Sequence, residues 1–472
     1  MRHFTLKPLT RALIGVCIAL TLNACALQTD VPALAANDVP NDWVASIDVA
    51  ASIWPQSTWW DSFADPELSS LIDTIAQRNF DLANSRRTLE AAQITLHEAG
   101  FDLLPTGSIT LGTGASYSES RSDGGSQSNT PNIPLQLGAS LSYSNILSKP
   151  AIYTKAVADY ESRAAQSADV ALTTLGTSAS TYFQLLLIRD KIRASLQNVE
   201  NAQSISNIAN ARVEAGVAVP IEALQQQIAL QREMANLSIF RQSELSALAS
   251  LALLSGTGVQ DFAITGETLN EVTVPSVQPG LPSELLLRRP DLVQAEALLR
   301  SATANVDIVR TAYFPNMSLT GNLSAGSTSL TELLASPDTF LNLNANVLQT
   351  LLDNGQRDRN VERSQLSLKS SLDDYRKAVL GAFNEIEVLL SNMQVQTELV
   401  RVALQNLNAA EESFRIAQVR YEEGVTDFQT VLTSQNTLFS TRNSYLDTKL
   451  SQLNTTVNLY QALGGGWEME AL

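Results

Sequence analysis

Few side chains in these 472 residues could carry covalent or acid–base chemistry. There are two cysteines, Cys17 and Cys25, and two histidines, His3 and His97. Both cysteines lie at the N-terminus, which excludes a disulfide framework or a cysteine-based metal centre from the body of the chain. His97 stands alone on a helical stretch and reads as solvated or helix-packing. Adjacent carboxylates such as Asp373-Asp374 and Glu411-Glu412 fall in helical sequence and read as solvated faces. No Ser/His/Asp arrangement, phosphate-binding loop or dinucleotide loop stands out. The chain is therefore expected not to be an enzyme and to need neither cofactor nor metal. Cys25 is the exception. Arg2, Lys7 and Arg11 form a basic start, Ala12 to Leu22 a short apolar core, and Leu22-Asn23-Ala24-Cys25 ends it. Small residues before a cysteine resemble a bacterial lipoprotein cleavage box, after which the cysteine carries the acyl chains. Residues 1–24 read as a signal peptide and Cys25 as the lipid attachment. Ala26 stands where an Asp would resemble an inner-membrane retention signal, which favours the outer membrane.

The charge excludes another class. Thirty-one basic against 48 acidic residues leave −17. A phosphate backbone needs a basic footprint, so nucleic acid is not a partner. The acidity serves either solubility or a cation-preferring lumen. Beyond the leader no stretch approaches the roughly 18 to 20 apolar residues of a membrane helix. Any later membrane crossing must be made by strands.

The elements that position these residues come twice. At an offset of about 210 residues, Leu104-Pro105-Thr106 matches Phe314-Pro315-Asn316, Arg212-Val213-Glu214-Ala215-Gly216-Val217 matches Arg420-Tyr421-Glu422-Glu423-Gly424-Val425, and Gly256 matches Gly464. An ordered series of this kind is a tandem repeat. Residues 25–65, with Trp43, Trp54, Trp59 and Trp60, read as an extended segment running along a surface. Residues 66–262 and 263–466 are the two repeats, and 467–472 a tail. Each repeat is expected to hold a helix, two strands, a very long helix, a turn at Gly216 or Gly424, and a returning helix. Ala151 to Ala215 and Gln356 to Glu423 contain no proline and one glycine each. Either could run roughly 100 Å as one helix. Val400, Ala403, Leu407, Ala410, Phe414, Ala417 and Tyr421 step by three and four into the Gly424 turn, a heptad seam. Periodicity alone does not separate a coiled-coil stalk from a tunnel wall.

Strand periodicity does. Residues 133–143 alternate apolar positions with Pro134, Gln136, Gly138, Ser140 and Ser142. Residues 341–347 alternate Leu341, Leu343, Ala345 and Val347 with Asn342, Asn344 and Asn346. Segments around Ile109 to Tyr117 and Leu319 to Ala325 do the same. Period-two alternation puts one face on apolar surroundings and the other on water, and about 10 residues suit a tilted transmembrane strand. A soluble half-buried sheet has the same pattern. Four strands cannot close a barrel, and open edges are not tolerated in lipid. Strands that span must be pooled by several chains.

With these features the sequence resembles the TolC-like outer membrane efflux proteins, in particular the lipoprotein branch serving RND-type multidrug pumps. The resemblance runs through Trp59-Trp60, Phe63, Asp65-Pro66-Glu67-Leu68 and Asn79-Phe80-Asp81-Leu82. It is strongest in Gly280-Leu281-Pro282-Ser283-Glu284-Leu285-Leu286-Leu287-Arg288-Arg289-Pro290-Asp291-Leu292. It continues in Ala312-Tyr313-Phe314-Pro315 and closes with Leu459 to Trp467. It implies an α+β membrane protein: a long α-helical coiled-coil tunnel plus a transmembrane antiparallel β-barrel, completed by trimerisation with four strands per chain. The implied partners are a periplasmic adaptor, an inner-membrane RND-type transporter and outer-membrane lipid. The implied function is passive conduction of drugs or other small molecules to the cell exterior. Gly216, Val217, Gly424 and Val425 are then the adaptor-contacting tips. Family members place constriction aspartates where this chain has Thr430 and Thr433. Glu222 and Asp427 are the nearby acids, and the four together mark the expected periplasmic aperture. The Asp-rich, Gly-Arg ending usual after the second strand is replaced by Tyr143-Ser144-Asn145-Ile146-Leu147-Ser148. Arg288-Arg289 is expected to pair with carboxylates rather than touch cargo. A type I protein-secretion channel is the alternative within the class, and a periplasmic adaptor lipoprotein one outside it. Two hairpins with two strand pairs argue against the adaptor.

The anchor is directly testable. Cys25→Ser should abolish acylation, seen by mass spectrometry of the mature N-terminus. The protein should remain in the membrane, because a barrel's apolar belt buries far more surface than the acyl chains. Release of the variant into the soluble fraction would count against a spanning barrel.

Overall fold

A computed structural model describes residues 29–34, 39–40, 43–44, 55–113, 135–277, 285–327, 330–335, 337–465 and 467. Helices α1 (Pro66–Arg78) and α2 (Phe80–Phe101) lead into strands β1 (Thr106–Thr113) and β2 (Leu135–Tyr143). Helix α3 (Lys149–Glu214) and the returning α4 (Pro220–Leu254) complete the first half. A single turn of helix at Leu285–Arg288 and α5 (Pro290–Arg310) open the second half, followed by β3 (Asn316–Ser327), β4 (Asp338–Leu348), α6 (Gln356–Glu422) and α7 (Phe428–Ala462). The expected order is met. The strands begin and end within a few residues of the alternating segments, although Ala115, Tyr117, Ile133 and Pro134 lie outside the described residues. No described helix is long and apolar enough to cross a membrane.

The chain forms two compact units, each drawing on both repeats. One comprises residues 1–33, 90–163 and 295–375 and holds the sheet. The other comprises 34–89, 164–294 and 376–472.

In the first unit the sheet has the order β1-β2-β3-β4, antiparallel throughout. Asn145 and Asn354 both take left-handed backbone conformations, φ +54° and +53°, where the chain leaves β2 and β4 for the long helices. This conformation is tolerated by asparagine better than by most side chains. The two exits are then locked differently. After β4, Asp353 accepts hydrogen bonds from the Gly355 and Arg357 amides and pairs with the Arg357 guanidinium at 2.7 Å. After β2, where the Asp-rich ending is missing, Lys149 instead donates to the Asp102 carbonyl and lies over the Tyr143 ring. Thr29 is held to α5, its amide and hydroxyl both donating to Asp307, while Arg310 donates to the hydroxyl at 2.7 Å.

In the second unit an aromatic core forms around Trp59, Phe63, Phe183 and Tyr460. Trp59 stacks on Tyr460 at 5.3 Å and Phe63 lies 5.1 Å from Phe183. This corrects part of the expected extended lead-in: Trp59–Phe63 is a 3-10 turn with Trp59, Trp60 and Phe63 buried. Three large rings within five residues gain more by entering a core than by running along a surface. Asp65 then caps α1, accepting from the Glu67 and Leu68 amides, with Pro66 at the first helical position, as such helix starts favour. Glu67 accepts from the Thr265 amide and hydroxyl and from the Gly266 amide. Burial opposes its charge, but these hydrogen bonds outweigh it and hold the carboxyl below its usual pKa.

Four glycines close the helical ends in one way. Gly216, Gly256, Gly424 and Gly464 all have positive φ, between +68° and +87°. In each case the glycine amide donates three residues back and the next amide five residues back, for example Val217 to Arg212 and Gly465 to Tyr460. This is the Schellman ending, which satisfies otherwise orphaned carbonyls.

The repeat is visible in three dimensions at Gly256 and Gly464. A Cβ on Gly256 would stand 2.7 Å from the Arg78 carbonyl oxygen, and one on Gly464 would collide with the Arg288 carbonyl. The Asn79 amide donates to the Leu254 carbonyl at 2.8 Å, and Arg289 donates to the Ala462 carbonyl at 2.9 Å. Arg289 also grips Asp291 through Nε and Nη2 and Glu385 through Nη1. The expected pairing of this arginine with carboxylates is what the structure shows. The arginine-proline-aspartate motif and the terminal glycines are therefore two sides of one joint.

The heptad seam packs as expected from Leu407 to Tyr421, while Val400 and Ala403 are only half-buried. Leu407, Ala410, Phe414, Ala417 and Tyr421 of α6 are buried with Phe428, Val431, Leu438 and Phe439 of α7 and Ile205 of α3. In the first hairpin, Gln226 of α4 is fully buried and donates to the Ala202 carbonyl at 2.9 Å.

Gly464→Ala should destabilise the protein by at least about 1–2 kcal/mol from the left-handed backbone alone, before the collision is counted. Gly381→Ala, inside α6 with open space around its Cβ position, should instead be neutral or gain up to ~1 kcal/mol of helix stability. Thermal unfolding of the two variants in detergent should move in these opposed directions.

Candidate functional site

Two regions have the geometry of a conduit. The first is the sheet. The pairing sets Ile109 beside Ala139 and Leu323, with Leu341 next, and Leu111 beside Leu137 and Ala325. Leu141, Leu319, Leu343 and Val347 share that side. These are large apolar groups, yet Ile109, Leu341 and Leu343 are 69% exposed or more. The opposite side carries rows of small polar groups. Ser108, Ser140, Asn322 and Asn342 form one row, and Thr106, Ser142, Thr320 and Asn344 the next. The Ser108 and Ser140 hydroxyls lie 2.7 Å apart. One face is thus built for hydrocarbon and the other for water. Among the described residues, β1 and β4 each have one unpaired edge.

The second region comprises the two hairpin turns. Gly216, Val217, Gly424 and Val425 are all exposed at their tips. The turns are linked through the side chains of Arg212 and Tyr421. The Arg212 guanidinium sits 4.7 Å from the centre of the Tyr421 ring and donates to the Tyr421 carbonyl, while the Tyr421 hydroxyl donates to Glu222 at 3.0 Å. Burial first, then this carboxylate, push the Tyr421 phenol up to about 12, so it stays a donor across the physiological range.

The expected aperture residues occupy distinct positions. Glu222 lies in the first turn of α4, half-buried, and is engaged by Tyr421. Asp427 is exposed and is the N-cap of α7, accepting from the Thr430 amide and hydroxyl. The Thr430 hydroxyl, followed by its amide, holds the Asp427 carboxyl below its usual pKa. Thr433 is exposed one turn further on and accepts from the Gln429 amide at 3.4 Å. Cys25 and Gly280 to Glu284 lie outside the described residues. No cluster of metal-ligating side chains occurs among the described residues.

Sequence reasoning missed the Arg212–Tyr421–Glu222 link. A signal was present in the asymmetry of the repeat. Tyr421 stands where the first copy has Val213, and Glu222 where the second has Thr430. Residues that differ at matched positions are where two copies of a unit can touch unequally.

A sheet with one hydrocarbon face and one wet face, joined to long helical hairpins, defines an outer-membrane channel protein. The family model for the outer membrane efflux protein matches residues 71–257 and again 281–465, and the chain belongs to that family. This is a family of channel proteins and not of enzymes. The pyoverdine export outer membrane protein OpmQ of Pseudomonas aeruginosa is 31% identical, over 97% of each chain. The antibiotic efflux pump outer membrane protein ArpC of Pseudomonas putida is 27% identical, over 97% of this chain and 96% of its own. The crystal structure of the Campylobacter jejuni CmeC outer membrane channel has the same fold, with a TM-score of 0.84 at 22% identity, over 94% of this chain and 95% of that one.

Tyr421→Phe keeps the ring on Arg212 but removes the bond to Glu222. A hydrogen bond to a half-exposed carboxylate is worth about 1 kcal/mol. Amide exchange at residues 212–222 and 420–428 should therefore speed up roughly fivefold in the variant. Unchanged exchange would show that the link carries no stability.

Proposed function

We propose that three copies of this chain form one passive conduit through the outer membrane. Three four-stranded sheets close a barrel, and the helical hairpins wall a periplasmic tunnel. The observation carrying this reading is the sheet, whose exposed apolar face needs lipid and whose open edges need strands. Hydrocarbon offers no hydrogen bonds to an unpaired edge. The repeats, 66–262 and 263–466, would each give the barrel two strands and the tunnel one hairpin. Energy would come from an inner-membrane RND-type transporter, reached through a periplasmic adaptor that docks on Gly216, Val217, Gly424 and Val425. Exposed Val217 and Val425 offer it apolar contact. Cys25 would add a lipid anchor. OpmQ is a pyoverdine export protein and ArpC belongs to an antibiotic efflux pump, which supports drugs or other small molecules as the cargo.

Glu222 and Asp427, with Thr430 and Thr433, would form the periplasmic aperture. Three copies of each acid would put six carboxylates around it, repelling one another and favouring cations. Trimers verified by native mass spectrometry should show low, cation-selective conductance in planar bilayers. Glu222→Gln combined with Asp427→Asn should reduce both selectivity and divalent block, and Thr433→Asp should strengthen the block. Asparagine can still cap α7, so the change reports charge. A stable, fully folded monomer would overturn the shared barrel, and unchanged selectivity and block would overturn the acidic aperture.

A further inference from the structure

Along β4 the water-facing positions read Asp338, Phe340, Asn342, Asn344, Asn346 and Leu348. Two of the six are apolar. Leu348 is as exposed, at 66%, but it lines a cavity with Leu147, Phe314 and Met317 at the end of the strand nearest the helices. Phe340 stands apart from that cavity. It lies at the far end of the strand, 65% exposed. Pairing with β3 is continuous from Asn316–Leu348 to Gly326–Asp338, so no bulge turns its ring to the other face. Its row continues through Ser324, Gly138 and Thr110. Gly326 stands one row further out, opposite Asp338. The ring therefore stands beside a floor of small side chains and bare backbone.

A large apolar ring held in water gains nothing in folding. On the lipid face it would be ordinary. On a wall of mostly uncharged polar groups, with the Asp338 carboxylate one row further out, it is an exposed flat π-surface.

We propose that Phe340 is a specificity-determining residue for transit. One copy from each chain would give planar aromatic solutes a stacking contact on the inner wall near the external end of the barrel. This rests on the barrel reading above, which makes the polar face the lumen. Stacking needs no charge and tolerates many ring systems. It would raise the local concentration of aromatic cargo at the exit while leaving aliphatic solutes of similar size unaffected.

Tryptophan and leucine serve as the aromatic and aliphatic probes, with the purified assembly in lipid nanodiscs. Saturation-transfer NMR should show a tryptophan signal that falls at least roughly threefold in Phe340→Asn, while leucine is unchanged. Phe340→Trp should keep the tryptophan signal. Asparagine already occupies three neighbouring positions on this face, so the variant should assemble normally, as native mass spectrometry would verify. Equal tryptophan signals in wild type and Phe340→Asn would overturn the proposal. Labelling separates this failure from failure of the barrel reading. Phe340→Cys should react with a charged maleimide while Leu341→Cys, on the lipid side, is protected. The reverse pattern would sink both readings. Lumenal labelling without a change in the tryptophan signal would sink the aromatic contact alone.

Discussion

Backbone amides and carbonyls cannot be left unpaired in hydrocarbon, and the architecture follows from how this chain meets that constraint. None of its described helices is long and apolar enough to cross a bilayer. Its strands can cross, because their alternation presents Ile109, Leu341 and Leu343 to one side and serine, threonine and asparagine to the other. A four-stranded sheet still carries an open edge at β1 and another at β4. A single chain thus contains the material of a membrane wall without the means to close it. Closure by identical neighbours uses the same two edges at every junction, as cyclic symmetry requires.

Duplication explains how one chain supplies both strand pairs and both hairpins. The copies share their mechanical fittings. Four Schellman glycines end four helices, and Gly256 and Gly464 press on the Arg78 and Arg288 carbonyls in matched joints. Divergence has been admitted at chosen points. Asn79 does with a short amide what Arg289 does with a guanidinium bound to Asp291 and Glu385. At the hairpin tips, Tyr421 and Glu222 have no matching counterparts, and that inequality lets one hairpin hold the other.

Much of this was legible in the sequence because it rests on periodicity. The described part of the strand alternation, the heptad seam from Leu407 to Tyr421 and the proline-free helical stretches are all found in the structure, since each reflects a repeating local geometry. The lead-in departs from expectation because the presence of tryptophans does not say which of them enter a core. Prolines and aspartates suggest a surface strand, but Trp59, Trp60 and Phe63 belong in a core. The tip link stayed hidden for a different reason. Arg212 and Tyr421 are 209 positions apart, and nothing in either local sequence announces that pairing. Asp427 is legible only as an acid near the expected aperture, yet its carboxylate first serves the backbone of α7. A helix cap and a lumenal charge look alike in sequence, and only the position of the next amide distinguishes them.

The exposed apolar face of the sheet also bears on how the protein reaches its final state. A solitary folded chain in water would present Ile109, Leu341, Leu343 and Val347 beside two unpaired edges, which is the profile of an aggregating species. The hazard grows with concentration, as does productive association, so the two compete for the same encounters. Formation of the long helices relies on contacts close in sequence and can come early. Completion of the sheet is safest when it coincides with arrival at the bilayer, where the face that threatens solubility becomes the one that holds the protein in place.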